Sequence, residues 1–83
     1  MTVEWFRVRP VEVIESEGYE PRDTWVWEFR DGHLDTRGTV LAVVVPEGGP
    51  WEEAVVSVPP DVDALPVDFV RWALDIAERR LRG

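Results

Sequence analysis

The sequence predicts an α+β fold: an antiparallel sheet of about four strands, with one C-terminal amphipathic helix packed on one face. Three observations carry it. The first two thirds of the chain are rich in Val, Trp and Phe and punctuated by Gly and Pro, which is strand-and-turn composition. The last eighteen residues instead repeat apolar positions at helical spacing. Eighty-three residues leave room for a single core, so residues 1–83 are expected to form one domain.

Phe6 and Val8 alternate with Arg7 and Arg9, and beyond Pro10 the apolar parity passes to Val11 and Val13. A parity change at a proline reads as a bulge or bend, so one bent strand is expected from Val3 to Glu15. Ser16 to Asp23, with Gly18 and Pro21, reads as a polar connection. Thr24 to Arg30 is the clearest strand: Trp25, Trp27 and Phe29 share one face, expected to lie under the helix. Asp31-Gly32 is a hairpin dipeptide and Arg37-Gly38 a second turn signal, which brackets the reversal. Thr39 to Val45 is apolar at both parities, the pattern of a central strand covered on both sides. Pro46 to Pro50 is a break. Trp51 to Val58 reads as a fourth strand with Glu52 and Glu53 on opposite faces, ended by Pro59-Pro60.

Pro66 suits the first helical position, Asp68 the positive end of the helix dipole, and Arg79, Arg80 and Arg82 its negative end. At about 100° per residue, Val67, Phe69, Val70, Ala73, Leu74, Ala77 and Leu81 form one stripe, and Trp72 and Ile76 widen the apolar arc to about 220°. That excess suggests a homodimer through Trp72 and Ile76. The competing expectation is that Trp72 seals the core's edge against the strand beginning at Trp51.

The formal charge is −8, from nine Arg against 17 Asp and Glu. It is uneven: residues 46–70 hold six acids and no basic residue. A negative field repels phosphate backbones, so direct nucleic-acid binding is not expected, and a basic protein surface is the complementary partner. The absence of Cys rules out disulfides and thiol nucleophiles. The longest apolar run, Val40 to Val45, is too short for a bilayer or a signal peptide, so a cytoplasmic protein without membrane attachment is expected. Lys, Asn and Gln are absent and Ile occurs twice, a bias that points to a gene from a G+C-rich bacterium or its phage.

Catalytic residue types are scarce, and no cofactor is implied. His33, the single His, stands between Asp31 and Asp35. Were that stretch extended, the three side chains would share a face and could approach a metal, but Asp, Gly and His also gather wherever a chain turns. Ser16 and Ser57 lie in no nucleophile motif, and Gly48-Gly49 opens no helix. Asp61 and Asp63 precede a helix, where capping is the ordinary role of acids.

Five Trp are the informative excess. Trp25 and Trp27 are expected in the core, and Trp5, Trp51 and Trp72 as exposed anchors, since Trp is enriched at binding hot spots. The leading expectation is a non-enzymatic protein-binding module, an accessory or inhibitory protein, with contacts at Trp51, Glu52, Glu53, Asp61, Asp63 and Trp72. Two others stand beside it: a nucleic-acid mimic that occupies another protein's binding cleft, and a small hydrolase or sugar-binding protein using exposed Trp with His33 and Asp35.

Overall fold

In an antiparallel pair, residues directly opposite one another share a face, so the register says which side chains meet the helix. A computed structural model describes residues 2–17, 24–34, 38–46 and 49–83. Five strands, β1 (Thr2–Phe6), β2 (Arg9–Glu17), β3 (Trp25–Arg30), β4 (Thr39–Val45) and β5 (Val55–Ser57), form one antiparallel sheet in chain order, followed by α1 (Val67–Arg82). The class is the expected one, with five strands rather than about four.

The extra strand comes from the N-terminal segment. The single bent strand expected from Val3 to Glu15 is a hairpin: Phe6 pairs with Arg9 across Arg7 and Val8, and Arg7 takes a φ of 57°. The parity change is therefore a reversal of the chain. Thr2, Glu4 and Phe6 face the helix beside Val13, Val11 and Arg9. The connection expected after Ser16 is shortened by β2, which runs to Glu17, and residues 18–23 lie outside the described residues.

Strand β3 is as expected, with Trp27 and Phe29 buried and Trp25 half-buried. Phe29 lies between Val13 and Leu41, and Trp27 lies opposite Val43. A register shift at the Phe29–Arg30 step leaves Val40 without an opposite residue, which lets the consecutive Val40 and Leu41 both be buried. The expected cover on both faces of β4 is not found among the described residues. The helix lies on one face; the other carries half-buried Val26 and Val44 in line with exposed Val55, with exposed Val3 and Trp5 further along.

The helix is rotated from its expected seat. Phe69, Ala73, Ile76 and Ala77 are buried, so the centre of the buried face lies between Phe69 and Ala73. Val67, placed in the stripe by the sequence, is 68% exposed, and Ile76, placed at its edge, is 3% exposed. The aromatic side chains of β1 and β3 decide this. Trp72 lies among Phe6, Phe29 and Phe69, with ring centroids 5.3, 5.8 and 5.6 Å away. Such offset and edge contacts contribute about 0.5–1.5 kcal/mol each beyond the area they bury. The surface expected to pair two copies at Trp72 and Ile76 is thus largely spent within the core. Pro66 is extended at the N-cap instead of opening the first turn, and its carbonyl accepts from Val70 N–H at 3.1 Å. Gly83, at φ 84°, closes the last turn by donating to the Arg80 carbonyl.

Among the described residues, three ion pairs tie distant segments. Arg9 donates from Nε and Nη2 to Asp31 Oδ2 at 2.8 and 2.7 Å. Arg80 Nη2 donates to Glu4 Oε2 at 2.6 Å and Thr2 Oγ1 at 2.7 Å, which locks the end of the helix onto β1. Arg7 pairs with Asp68. No helix among the described residues is long and apolar enough to cross a membrane.

Candidate functional site

The rotation of the helix leaves its second apolar strip, Val70 and Leu74, turned towards β5. The segment that faces this strip is built by its prolines. Gly49 N–H donates to the Pro46 carbonyl at 2.9 Å. A Cβ on Gly49 would stand only 3.0 Å from Pro46 Cγ and 3.1 Å from its carbonyl oxygen, so a side chain there would have to push Pro46 back by a few tenths of an ångström. Pro50 then leads into a 3-10 helix, Trp51–Glu53, closed by Glu53 N–H to Pro50 O at 3.0 Å and Ala54 N–H to Trp51 O at 2.9 Å. The strand expected from Trp51 to Val58 is therefore reduced to Val55–Ser57. A proline before the turn and two acids within it suit a helical start, and this local preference outweighs the β-propensity of Trp51. Glu52 and Glu53 consequently do not point to opposite faces of a strand; they are neighbours on one exposed turn.

Beyond β5 the chain bends at Pro59, whose carbonyl accepts from Val62 N–H at 3.0 Å, and runs as a strap without helix or strand to Pro66. Strap, strand and helix enclose two adjoining hollows. The larger, of about 560 Å³, has Leu41, Val56, Val58, Leu65 and Val70 in its walls and Asp63 at its rim. The smaller, of about 440 Å³, is lined by Trp51, Glu52, Ala54, Val56 and Leu74. Val56 belongs to both, so the two form one groove with an apolar floor.

Of the residues singled out from sequence, the groove brings together Trp51, Glu52 and Asp63. Trp51 is half-buried, while Glu53 and Asp61 are exposed outside the lining. Trp72 does not join them; its ring occupies the opposite side of the helix, against Phe6. Trp5 is 63% exposed, on the sheet face away from the helix. What sequence reasoning missed is the floor. Val56 and Val58 appeared as ordinary strand residues, and Val70 and Leu74 as core. The usable signal was the excess width of the helical arc, assigned to the wrong edge.

The groove's charge is one-sided. Glu52 and Asp63 lie in its lining, and residues 46–70, which also hold Glu53, Asp61 and Asp68, contain no Arg; Asp68 pairs with Arg7 from the first hairpin. The His33 region offers no comparable arrangement. It is a turn, with Leu34 N–H donating to the Asp31 carbonyl at 3.0 Å, so strand alternation does not align its side chains. Asp31 is buried, accepting from Arg9 and, through Oδ1, from His33 N–H at 3.0 Å; His33 is exposed, and Asp35 lies outside the described residues. Among the described residues no three His, Asp or Glu side chains are grouped to hold a metal ion.

Comparison with family models, with curated proteins and with solved structures finds no match to this chain.

Proposed function

We propose that the chain is a non-enzymatic protein-binding module, accessory or inhibitory in role, which seats a basic and partly apolar segment of a partner in the groove between β5 and α1. It works in the cytoplasm of a G+C-rich bacterium or its phage. One observation supports this above all: an apolar floor of Val56, Val58, Val70 and Leu74 is rimmed by carboxylates in a stretch that holds no positive charge. A groove of this kind matches a segment that carries apolar side chains between Lys or Arg. Trp51, half-buried at one end, supplies a rigid anchor surface.

The two elements of the site act on different rates. Charges at the rim steer encounter, so they govern association and its salt dependence; a desolvated aromatic contact governs dissociation. With a partner captured from the native host, Glu52→Arg with Glu53→Arg should slow association roughly tenfold or more at low ionic strength, within the range that steering provides, and flatten its salt dependence. Trp51→Ala should mainly speed dissociation. Unchanged association of the double variant at low salt excludes this surface.

A further inference from the structure

Resting on the reading above, we infer that the partner segment enters the groove as an added strand, pairing its backbone with the open edge of β5. Strand β5 pairs with β4 on one side only, Val55 with Val44, Val56 with Val43 and Ser57 with Ala42, and it is the last strand of the sheet. Among the described residues no strand pairs with its outer side, which leaves an edge of the kind that templates another chain.

The two edges of the sheet are treated differently. Edge strands are commonly guarded by inward-pointing charges, and β1 has this protection: Glu4 on its inner face is held by Arg80, and Arg7 at its end is held by Asp68. Strand β5 is Val-Val-Ser, exposed at all three residues, with no charge along its length. The unguarded edge is the one beside the apolar groove.

The shape of the groove fits the same mode. An added strand turns every second side chain towards the helix, at a repeat of about 6.6–6.8 Å. The two hollows lie on either side of Val56, one reaching to Ala54 and Trp51, the other to Val58 and Leu65. Successive inward side chains of an added strand therefore meet one hollow each, while the residues between them point to the opposite face of the sheet. A second copy of this chain does not suit the place. Pairing β5 with β5 would bring two base-free acidic stretches together, and like charges at an interface oppose association. The occupant is instead an extended segment of another protein that turns apolar residues into the hollows and carries Lys or Arg, drawn by the acids of residues 46–70. The 3-10 turn before β5 and Pro59 after it keep the ladder short, so side chains in the hollows supply much of the affinity.

Two capped heptapeptides of equal composition test this: Lys-Val-Lys-Val-Lys-Val-Lys, patterned as a strand, and Lys-Val-Lys-Lys-Val-Val-Lys, patterned as a helix. At low salt the first should bind at least tenfold more tightly and slow amide exchange within Val55–Ser57. N-methylation should weaken it about tenfold or more at amides of one parity and leave the other parity unaffected, since alternate N–H groups of an edge strand face its neighbour. Equal binding of the two peptides, or methylation effects indifferent to parity, overturns strand addition. If Glu52→Arg with Glu53→Arg still weakens both peptides in that case, the basic-partner reading survives. If neither peptide binds, both are overturned.

Discussion

Removing either member of the Arg9–Asp31 pair should have unequal consequences, and the inequality follows from burial. The Asp31 side chain is 1% exposed and that of Arg9 27%. In Arg9→Met the aliphatic stem beside Phe6 is largely kept and the charge lost, leaving the carboxylate enclosed with, among the described residues, the single 3.0 Å hydrogen bond from His33 N–H. Breaking a buried pair in this way costs about 3–5 kcal/mol. In Asp31→Asn the amide retains the volume and an acceptor for His33 N–H, while the guanidinium still reaches water and stands 5.0 Å from the Phe6 ring centroid. Its cost should be about 1–2 kcal/mol. A domain of this length has about 4–12 kcal/mol of stability, so Arg9→Met removes a large share and lowers Tm by roughly 12 °C or more. Urea unfolding followed by Trp fluorescence measures both, provided m is unchanged. Equal costs below about 1 kcal/mol, or a larger cost for Asp31→Asn, would refute the argument that burial sets the penalty.

Two further outcomes are expected. Trp72→Glu should cost at least about 3 kcal/mol, as for loss of a large core ring, without altering the mass measured by sedimentation; a stable variant with a lowered mass would restore the dimer interface expected from sequence. Trp27 Nε1 is buried with no hydrogen-bond partner among the described residues, which costs about 1–3 kcal/mol of desolvation. Trp27→Phe gives that cost back against lost packing, so its net effect should stay within about 1.5 kcal/mol. A loss near that of Phe29→Ala, about 3–5 kcal/mol, would mean that the indole N–H is satisfied.

What could be read from the sequence was periodicity. The faces of β3, the span of β4 and the helix all follow from apolar spacing, because burial on one side of a sheet selects for it. Turns made from ordinary residues left no signal: Arg7 and Val8 reverse the chain without Gly, Asn, Asp or Pro, so the hairpin looked like a bent strand. The rotation of the helix was equally hidden. An apolar arc of about 220° fits a sheet in several seats, and only the positions of Phe6 and Phe29 choose among them. The acids and Trp51 stood out by composition. The groove they rim did not, because it exists only once the 3-10 turn, the strap and the helix have each taken their places.

The central claim, that binding occurs at the β5–α1 groove, is tested most directly by the indole N–H signals of the five Trp in a proton–nitrogen correlation spectrum. The basic partner, or the alternating Lys-Val heptapeptide, is titrated into labelled protein. Trp51 lines the groove, whereas Trp5 lies on the far sheet face and Trp72 in the aromatic cluster. The Trp51 signal should move saturably, together with the backbone amides of Val56, Val58 and Leu74, while the Trp5 signal stays in place. Saturable movement of Trp5 with Trp51 unmoved would contradict the account and put the binding surface on the bare face of the sheet.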